Sequence, residues 1–390
     1  MYDVQIVGGG PAGCIAAKEA ASRNLTVAVF EEHEKIGSNL KCSGLLSKKG
    51  LDGLGVDYRK AILNKIRGAV VYSPSLNKMR IVTHDVKAFV IDRKKFDSAC
   101  AVEAEDEGAK LILGKRAGAS DLKSPLILGA DGALSQVAAW YDFPKINEVA
   151  FCYQADFQNA RVEETDLVSI FLSNNLFPGF FGWLIPLNEC EARIGLGVFR
   201  DVRKEYAVSV KHYFDNFTKR HPIVSKIVKN SRHKNTVSAV VPLSPREITA
   251  KENVLLVGDA AGQVKATTGG GIIFGGNCAK IAGNLAPHII RSGDSSRYEL
   301  EWRKTFLKDL LLHKRARRAY NSLSDRQIER YFRLAKRAGI EKFLAEHGDM
   351  DSPTAMMNSA SSTAPLQILL LIKLSKVIYP ELGDALYGRG

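Results

Sequence analysis

The sequence predicts an α/β protein that joins a Rossmann-like nucleotide-binding domain to an antiparallel-sheet (α+β) substrate domain and a C-terminal helical region. Three features of the 390 residues support this prediction. A short apolar run at the N-terminus leads into a glycine-rich turn and then into a segment with helical spacing. Residues 146–245 contain runs such as EARIGLGVF, in which apolar and polar residues alternate as in a strand. From Ser292 onward the apolar residues follow a helical period.

The N-terminal turn carries the motif G-x-G-x-x-G in the context that nucleotide binding requires. The sequence GGGPAG at residues 8–13 follows the apolar run YDVQIV, opens a helical segment, and precedes a second apolar run that ends at Glu31. Gly8 permits the tight turn, Gly10 lets the backbone approach a pyrophosphate, and Gly13 lets helix and strand pack closely. The helix N-terminus offers N–H groups to the anion. An acid at position 31 accepts bonds from a ribose 2′-OH and disfavours a 2′-phosphate, which predicts FAD or NAD rather than NADP.

Two later segments distinguish FAD from NAD. Asp131 follows the apolar strand of SPLILGADG, and Asp259 follows the strand NVLLV. The cluster Gly269-Gly270-Gly271 then opens a second helix, which is rich in small residues. A carboxylate at the end of a strand suits sugar hydroxyls, and a second glycine-rich helix start suits a flavin edge or its phosphate. FAD is long enough to contact both regions, so the sequence predicts FAD as the cofactor.

Composition and charge restrict the other functions. The six cysteines are scattered without a Cys-x-x-Cys pair, which disfavours a zinc site or a disulfide framework. The formal net charge is +13, and thirteen Lys or Arg residues fall between Arg303 and Lys342. That basic region is a solvated face or a surface for anionic lipid headgroups. The sequence shows no nucleic-acid-binding motif, so we expect no nucleic-acid partner.

The expected location is the cytoplasm, because the sequence MYDVQIVGGG lacks the pattern of a cleavable signal. The apolar run Leu366–Leu374 is too short to span a bilayer. It is interpreted either as a helix that docks on the core or as a segment that rests on the inner face of an anionic membrane. The protein is expected to be a monomer.

The glycine motif, the DG at Asp131 and the GD at Asp259 together resemble the FAD-dependent superfamily that includes para-hydroxybenzoate hydroxylase. Within it, three segments are similar to the geranylgeranyl reductase family of archaea and plants, in particular its digeranylgeranylglycerophospholipid reductase-like branch. IDRKKFD at 91–97 corresponds to the family's Arg-x-x-Phe-Asp, and KCSG at 41–44 corresponds to its cysteine segment beside the flavin. The stretch 178–186 matches Pro-x-x-Tyr-x-Trp-x-Phe-Pro at three of its five specified positions. The resemblance covers most of the first 290 residues.

The resemblance implies a set of cofactor and substrate residues. FAD contacts are implied at Ala12, Gly13, Glu31, Glu32, Lys41, Cys42, Gly44, Arg93, Asp259, Gly271 and Ile272, in addition to Gly8, Gly10, Asp131 and Gly270 from the glycine and strand-end patterns. Substrate contacts are implied at Pro178, Phe181, Trp183 and Pro186. This chain departs from the family pattern at Phe181, where the family has Tyr, and at Ala266, where it has Pro. Both departures concern the identity of the substrate.

The uncharged stretch FPGFFGWLIP at residues 177–186 allows two interpretations. An aromatic-rich strand is commonly part of a protein core, whereas an isoprenoid chain has to be held by apolar area, which aromatic rings supply. With the family pattern beside it, a substrate tunnel is favoured, and Gly179 and Gly182 are expected to leave gaps for the chain. Cys42 is the expected proton donor or polariser, with Lys41 and Lys48 expected to lower the pKa of its thiol.

The predicted function is FAD-dependent reduction of carbon–carbon double bonds in geranylgeranyl chains of membrane lipids. The alternatives are a flavin-dependent monooxygenase or halogenase, and a flavoprotein that passes electrons to a quinone. The expected partners are an isoprenoid lipid and an external reductant, either ferredoxin or NAD(P)H. The predicted FAD-binding domain comprises residues 1–60, 92–145 and 246–290, the substrate domain comprises 61–91 and 146–245, and the helical region comprises 291–390.

Overall fold

The computed structural model describes residues 1–38 and 41–363. The strands in this part of the chain are β1 (Val4–Val7), β2 (Val27–Phe30), β3 (Leu45–Ser47), β4 (Ile62–Ile66), β5 (Gly68–Tyr72), β6 (Lys78–Val82), β7 (Ala88–Ile91), β8 (Lys110–Ile112), β9 (Leu126–Gly129), β10 (Glu148–Gln158), β11 (Leu167–Phe171), β12 (Gly182–Pro186), β13 (Glu191–Asp201), β14 (Arg232–Pro242), β15 (Ala250–Lys251) and β16 (Val254–Leu256). The α-helices are α1 (Pro11–Ala21), α2 (Lys48–Leu54), α3 (Arg93–Asp106), α4 (Gln136–Trp140), α5 (Val210–Arg220), α6 (Val224–Val228), α7 (Ile272–Ser292), α8 (Ser296–Trp302), α9 (Lys308–Asn321), α10 (Asp325–Arg337), α11 (Ile340–His347) and α12 (Pro353–Thr363).

The first sheet has six strands in the order β15-β16-β9-β1-β2-β8, and only the β15–β16 pair is antiparallel. Strands β1 and β2 are buried along their whole length, because helices cover both faces of the sheet. Helix α7 crosses α1 closely, since a β-carbon at Gly283 would lie 2.6 Å from the carbonyl oxygen of Ala16. This is the predicted Rossmann-like unit.

The second sheet has seven strands in the order β14-β10-β13-β12-β11-β5-β6. All neighbouring strands are antiparallel except β11 and β5. One face packs on α5, through Phe214 and Phe217, and the opposite face carries Phe180 and Trp183. The predicted α/β fold with an antiparallel second sheet is therefore confirmed.

A third sheet of three strands, in the order β3-β7-β4, connects the other two. It joins strands from the predicted FAD-binding domain and the predicted substrate domain, while the strands of the large sheet come only from residues 68–82 and 148–242. The exact division into domains stays a prediction.

Helices α8 to α12 form the C-terminal helical part as far as residue 363. No helix in residues 1–38 and 41–363 has both the length and the apolar character needed to cross a membrane. The apolar run Leu366–Leu374 lies outside the described residues, so its predicted docking stays a prediction.

Candidate cofactor and substrate site

The first glycine turn has the geometry that its sequence predicts. Gly8 has φ of +106°, and a β-carbon there would lie 2.4 Å from the carbonyl oxygen of Ala130. A β-carbon at Gly13 would lie 2.0 Å from the carbonyl oxygen of Gly8, so helix α1 meets β1 only because Gly13 lacks one. At Gly10, by contrast, a β-carbon would meet no atom within 4 Å. The backbone of the protein therefore packs tightly against Gly8 and Gly13, whereas the space beside Gly10 is free. A cradle for a pyrophosphate requires this arrangement.

The acid at the end of β2 organises the turn. One carboxylate oxygen of Glu31 accepts a bond from the Gly9 N–H at 2.9 Å. The other accepts from the backbone N–H of His33 at 3.0 Å and lies 2.5 Å from its ring Nδ1. Glu31 is half-buried and Glu32 is exposed. Because a carboxylate offers about four acceptor positions, Glu31 keeps capacity for a ribose hydroxyl.

The glycine-rich segment from Gly258 to Gly271 lies directly against the first glycine turn. Gly258 has φ of +65°, and a β-carbon there would lie 3.0 Å from the Cβ atom of Ala12. Helix α7 starts after Gly271 without a side-chain cap, as α1 does after Gly10. Two helix N-termini with uncapped N–H groups thus lie near each other, on either side of Gly258. This arrangement fits a dinucleotide long enough to contact both motifs.

Asp259 lies at the start of this second segment. A β-carbon at Gly271 would lie 2.5 Å from its Oδ1 atom, so the glycine leaves room for the carboxylate. Burial raises the pKa of Asp259 to about 6, and the positive charge of Arg93 acts in the opposite direction. A hydrogen-bond donor such as a sugar hydroxyl would stabilise the carboxylate.

Arg93 connects the cofactor elements with the cysteine segment. Its Nε and Nη2 atoms donate to the two oxygens of Asp97, at 2.8 and 2.9 Å, and Phe96 between them is fully buried. The family pattern Arg-x-x-Phe-Asp therefore encodes an ion pair one helical turn apart and a core side chain. Burial acts to lower the pKa of Arg93, but Asp97 and the sulfur of Cys42 outweigh it and hold the pKa above its usual range.

The cation that interacts with Cys42 is therefore the guanidinium of Arg93, and the expected influence of the two lysines stays a prediction. Lys48 pairs with Asp52 at 2.8 Å, and Lys41 is exposed. The half-buried thiol of Cys42 also accepts a bond from the N–H of Gly44 at 3.3 Å. Lys41 and Lys48 were expected because they are near in sequence, whereas Arg93 reaches the sulfur from the start of helix α3.

The aromatic stretch contributes to both faces of the large sheet. Phe177 packs edge-on against Phe217 in the cluster beneath α5, with ring centroids 4.9 Å apart. Phe180, Phe181 and Trp183 belong to the opposite face, where Phe180 stacks on Phe181 at 4.7 Å. Core packing thus explains Phe177, and the other three rings lie together on the opposite face, where their contact with a substrate stays a prediction.

The gaps expected at the two glycines of this stretch are filled by the protein itself, so that expectation was wrong. A β-carbon at Gly179 would lie 2.6 Å from the Cβ atom of Phe199, and one at Gly182 would lie 2.7 Å from the ring of Phe177. Both glycines are needed for close packing of the protein's own side chains.

The remaining predicted residues take varied positions. Both oxygens of Asp131 already accept bonds at the start of helix α4, from the hydroxyl of Ser135 at 2.6 Å and the N–H of Gln136 at 2.6 Å. Its contact with a cofactor stays a prediction, as do those of Gly44, which is buried, and of Gly270, Gly271 and Ile272, which are half-buried around the start of helix α7. Pro178 is half-buried and Pro186 is buried.

Two cations near the site were missed from the sequence because their roles depend on distant backbone. Arg317 of α9 is 4% exposed, and its guanidinium carbon lies 4.1 Å from the centroid of the Phe180 ring. It donates to the carbonyls of Ala266 at 2.8 Å, Thr267 at 2.9 Å and Gly179. Burial lowers its pKa to about 9. Arg317 thus joins the loop before the glycine cluster to the aromatic stretch.

The second missed cation is Lys265, which lies five residues before Gly270. Its ammonium is buried and bonds to Asp351 at 2.5 Å and to the carbonyl oxygen of Met350 at 2.9 Å. The segment around Asp351 also reaches the hydroxyl of Ser47 at the start of α2. C-terminal residues therefore fix the loop that leads into the second helix start.

Buried polar atoms without hydrogen-bond partners mark a second place, besides the glycine cradle, that fits a ligand. Within residues 1–38 and 41–363, the Oε1 atom of Gln154 and the Nε1 atom of Trp183 are buried without a hydrogen-bond partner. Both side chains lie against Gly195, so one acceptor and one donor are left unsatisfied on the aromatic face. Buried polar groups without a partner commonly await a ligand or an ordered water molecule. The residues present therefore fit a flavin and a ligand beside it.

Comparison with known proteins agrees with this description. The geranylgeranyl reductase catalytic domain matches residues 148–241, and an NAD(P)-binding Rossmann-like domain matches residues 6–71. An uncharacterised protein of Methanocaldococcus jannaschii is 30% identical, over 91% of this chain and 93% of its own. A protein of Methanothrix thermoacetophila named digeranylgeranylglycerophospholipid reductase is 29% identical, over 87% of this chain and 93% of its own.

Solved structures show the same fold. A geranylgeranyl bacteriochlorophyll reductase-like protein of Thermoplasma acidophilum has a TM-score of 0.78 at 24% identity, covering 96% of this chain and 99% of its own. A flavin-dependent brominase has a TM-score of 0.67 at 15% identity, covering 93% and 98%. At these identities the likeness concerns the fold alone.

The two sheets and the paired helix N-termini define a dinucleotide-binding protein of the Rossmann-like class. Within that class, the similarity along nearly the whole chain is decisive, and the chain belongs to the geranylgeranyl reductase family. The family resemblance predicted from the sequence is thereby confirmed.

Proposed function

We propose that this protein is an FAD-dependent reductase that saturates carbon–carbon double bonds in the geranylgeranyl chains of membrane lipids. The observation that supports this most is the position of the Cys42 segment. Arg93 interacts electrostatically with the thiol of Cys42 and with Asp259, and the Cys42 carbonyl accepts a bond from Gln154 on the aromatic face. These interactions support a site at which a cysteine, a cofactor cradle and a wall of apolar rings meet.

The proposed chemistry divides between the cofactor and the side chains. When bound, a reduced flavin would supply a hydride to one carbon of the double bond. The other carbon needs a proton, which we propose that Cys42 donates from its Sγ atom. Arg93 stabilises the thiolate that remains, because its guanidinium interacts electrostatically with the sulfur. Phe180, Phe181 and Trp183 hold the prenyl chain by apolar contact and exclude water.

The finer substrate class rests on relatives. Proteins named digeranylgeranylglycerophospholipid reductase from Methanothrix thermoacetophila and Methanosarcina acetivorans are each 29% identical to this chain. We extend this class to the present chain, with a geranylgeranyl diether phospholipid as the substrate. Ferredoxin and NAD(P)H are the two proposed reductants, and each is tested by its ability to bleach the flavin absorbance without oxygen.

A basic groove supports access to membrane lipids. Its volume is about 490 Å³, and it is lined by apolar and cationic side chains of α9 and α12, including Leu311, Leu312, Met357, Lys308 and Arg315. Apolar side chains with a cationic rim suit an anionic lipid surface. We propose peripheral contact with the inner face of the membrane through this groove.

Vesicle sedimentation tests the membrane contact. The protein should sediment with vesicles that contain anionic phospholipid and not with neutral ones, and added salt should weaken the binding. Lys308→Glu with Arg315→Glu should abolish it. Lys60→Glu with Lys65→Glu, at two exposed positions outside the groove, is the control. Equal loss of binding in both double variants would contradict the proposal.

The central experiment is anaerobic. The flavin of the purified protein is reduced, a geranylgeranyl diether phospholipid is added, and flavin reoxidation is followed together with the mass of the lipid. The expected result is reoxidation with a gain of about two mass units for each saturated bond. In Cys42→Ala, flavin loading should persist while the rate falls by roughly 10²- to 10⁴-fold.

The alternatives give different results in the same experiment. A quinone reductase would reoxidise its flavin with quinone and leave the prenyl chain unchanged. A monooxygenase or halogenase would keep the flavin reduced until oxygen is admitted. A halogenase also needs a lysine beyond the flavin, and Lys265, near the glycine cluster, is held by Asp351. Reoxidation by quinone alone, or a flavin that stays reduced until oxygen is admitted, would contradict the reductase proposal.

A further inference from the structure

Two side chains of the large sheet hold the cysteine segment by its backbone. Gln154 Nε2 donates to the carbonyl oxygen of Cys42 at 3.0 Å. Arg193 Nη1 donates to the carbonyl oxygen of Ser43 at 2.7 Å. Two consecutive carbonyls are therefore fixed by neighbouring strands, since Gln154 lies on β10 and Arg193 on β13.

The two donors are themselves fixed. Arg193 and Asp156 are paired residues across β10 and β13, and the guanidinium bonds to both carboxylate oxygens at 2.7 and 3.0 Å. Both side chains are mostly buried, with exposures of 16% and 14%. Because Asp156 neutralises the guanidinium, Arg193 offers no net charge to a ligand. The bond from its Nη1 atom to Ser43 therefore serves to hold the backbone of the cysteine segment in place.

The segment is also held from its other side. Gly44 has φ of +76°, and a β-carbon there would lie 2.5 Å from the carbonyl oxygen of Ile91 and 3.4 Å from Arg193 Nη1. The N–H of Ile91 donates to the carbonyl of Gly44 at 2.8 Å. The turn after Cys42 is thus confined between strand β7 and the large sheet. This turn also brings the N–H of Gly44 to the Cys42 sulfur.

From this geometry we propose that Gln154 and Arg193 are positioning residues for Cys42. They set the backbone of the cysteine segment at a fixed distance from the face that carries Trp183, since Gln154 and Trp183 both lie against Gly195. The thiol is thereby kept against Arg93 and in register with an alkene on the aromatic wall. The effect on turnover rests on the proposed reductase function, whereas the effect on the thiol does not.

The chain contains a matched control. Gln158 lies on the same strand as Gln154, and its Nε2 atom donates to Glu191 of β13 at 2.8 Å. The two residues are also cross-strand partners. Gln158→Leu therefore removes one glutamine bond between the same two strands without touching the cysteine segment. A change in the thiol of Cys42 that appears in Gln154→Leu and not in Gln158→Leu therefore supports the contact with the cysteine segment.

The first measurement is independent of turnover. The FAD-loaded proteins are treated with iodoacetamide, and alkylation of Cys42 is followed by peptide mass spectrometry. Gln154→Leu should raise the alkylation rate of Cys42 by roughly threefold or more, because release of its carbonyl lets the half-buried thiol reach the reagent. Gln158→Leu should match the wild-type protein. Equal rates in all three proteins, or an equal rise in both variants, would overturn the proposal.

The second measurement is alkene reduction with the geranylgeranyl phospholipid. Gln154→Leu should lower kcat by roughly 10- to 100-fold with a small change in KM, because a misplaced group loses rate rather than substrate binding. Arg193→Lys, which can still donate to Ser43, should retain more activity than Arg193→Met. An unchanged kcat with a raised KM would overturn the positioning role. Full turnover in Cys42→Ala would refute the proposed proton donor, and the alkylation result would still decide the positioning claim.

Discussion

The indole ring of Trp183 lies across Gly195, its paired residue on the neighbouring strand. A β-carbon at Gly195 would lie 2.5 Å from the Cε2 and Cζ2 atoms of that ring. Two residues further along β13, a β-carbon at Gly197 would lie 2.4 Å from the ring of Phe180. Alternate glycines on one face of the strand thus leave the space that two aromatic rings occupy.

Alanine at Gly197 should therefore displace the Phe180 ring. We expect Gly197→Ala to raise KM for the geranylgeranyl lipid, to leave flavin loading unchanged and to lower the free energy of unfolding by about 1–3 kcal/mol. Steady-state kinetics and denaturant unfolding measure these effects. Gly53→Ala on α2, where a β-carbon would meet nothing within 4 Å, is the control. An unchanged KM in Gly197→Ala would mean that the ring does not contact the substrate.

Phe177 and Phe181 should separate stability from substrate binding. Phe177 is 1% exposed and packs on Phe217, so Phe177→Ala should lower the free energy of unfolding by about 3–5 kcal/mol. Phe181 is half-buried on the aromatic wall, so Phe181→Ala should cost less stability and raise KM for the lipid. Urea unfolding and kinetics on the same two proteins compare them. The reverse pattern would contradict the assignment of the two faces.

Two glycines of the first turn should also behave differently. Gly13→Ala would place a β-carbon 2.0 Å from the carbonyl oxygen of Gly8, so it should destabilise the protein even without cofactor. Gly10→Ala meets open space and should leave the stability of the apoprotein within about 0.5 kcal/mol of wild type. It should nevertheless weaken FAD binding, because the added methyl group lies in the proposed pyrophosphate path. Titration of apoprotein with FAD measures this, and wild-type affinity in Gly10→Ala would refute that path.

His221 should contribute to loss of stability in acid. Burial lowers the pKa of His221 to about 4 from the ordinary 6.5, and its ring contacts those of Phe171 and Phe217. The unfolded chain takes up the proton below about pH 6.5, while the folded chain resists until about pH 4. Stability should therefore be full above pH 6.5 and fall by up to about 3 kcal/mol as the pH drops to 4.

Denaturant unfolding at several pH values measures this effect. His221→Phe should flatten the slope between pH 6.5 and 4, because the titrating group is gone. His84→Gln, at an exposed position, should leave the slope as it is. If both variants retain the wild-type slope, His221 does not control the acid transition.

The buried ion pair of Lys265 and Asp351 should contribute more to the free energy of unfolding than an ion pair on the surface. Their side chains are 7% and 15% exposed, so Lys265→Met leaves a carboxylate buried without its partner and should cost about 3–5 kcal/mol. Lys211 and Asp215 form an exposed pair on α5, and Lys211→Met should cost less than about 1 kcal/mol. Thermal unfolding compares the two variants. Equal losses would show that the buried pair contributes no more stability than the exposed one.

The parts of the site that could be predicted from sequence are formed by residues that lie close together along the chain. The motif from Gly8 to Gly13 and the pair Arg93 and Asp97 are formed by residues within one or two helical turns, so their spacing fixes their geometry. The interaction of Arg93 with Cys42 was missed for the complementary reason. Lys48 is close in sequence but pairs with Asp52, and the sulfur meets Arg93 from a different element.

The sequence by itself therefore determined the nucleotide-binding turn, the alternation of the strands, the family and the kinds of side chain available. The tertiary structure decided which face each ring of the aromatic stretch occupies, and that Gln154 and Arg193 reach the cysteine segment across more than a hundred residues. Local motifs are set by backbone periodicity and by the absence of a side chain at a glycine. Contacts between sheets depend on strand order and register, which no single segment of the sequence specifies.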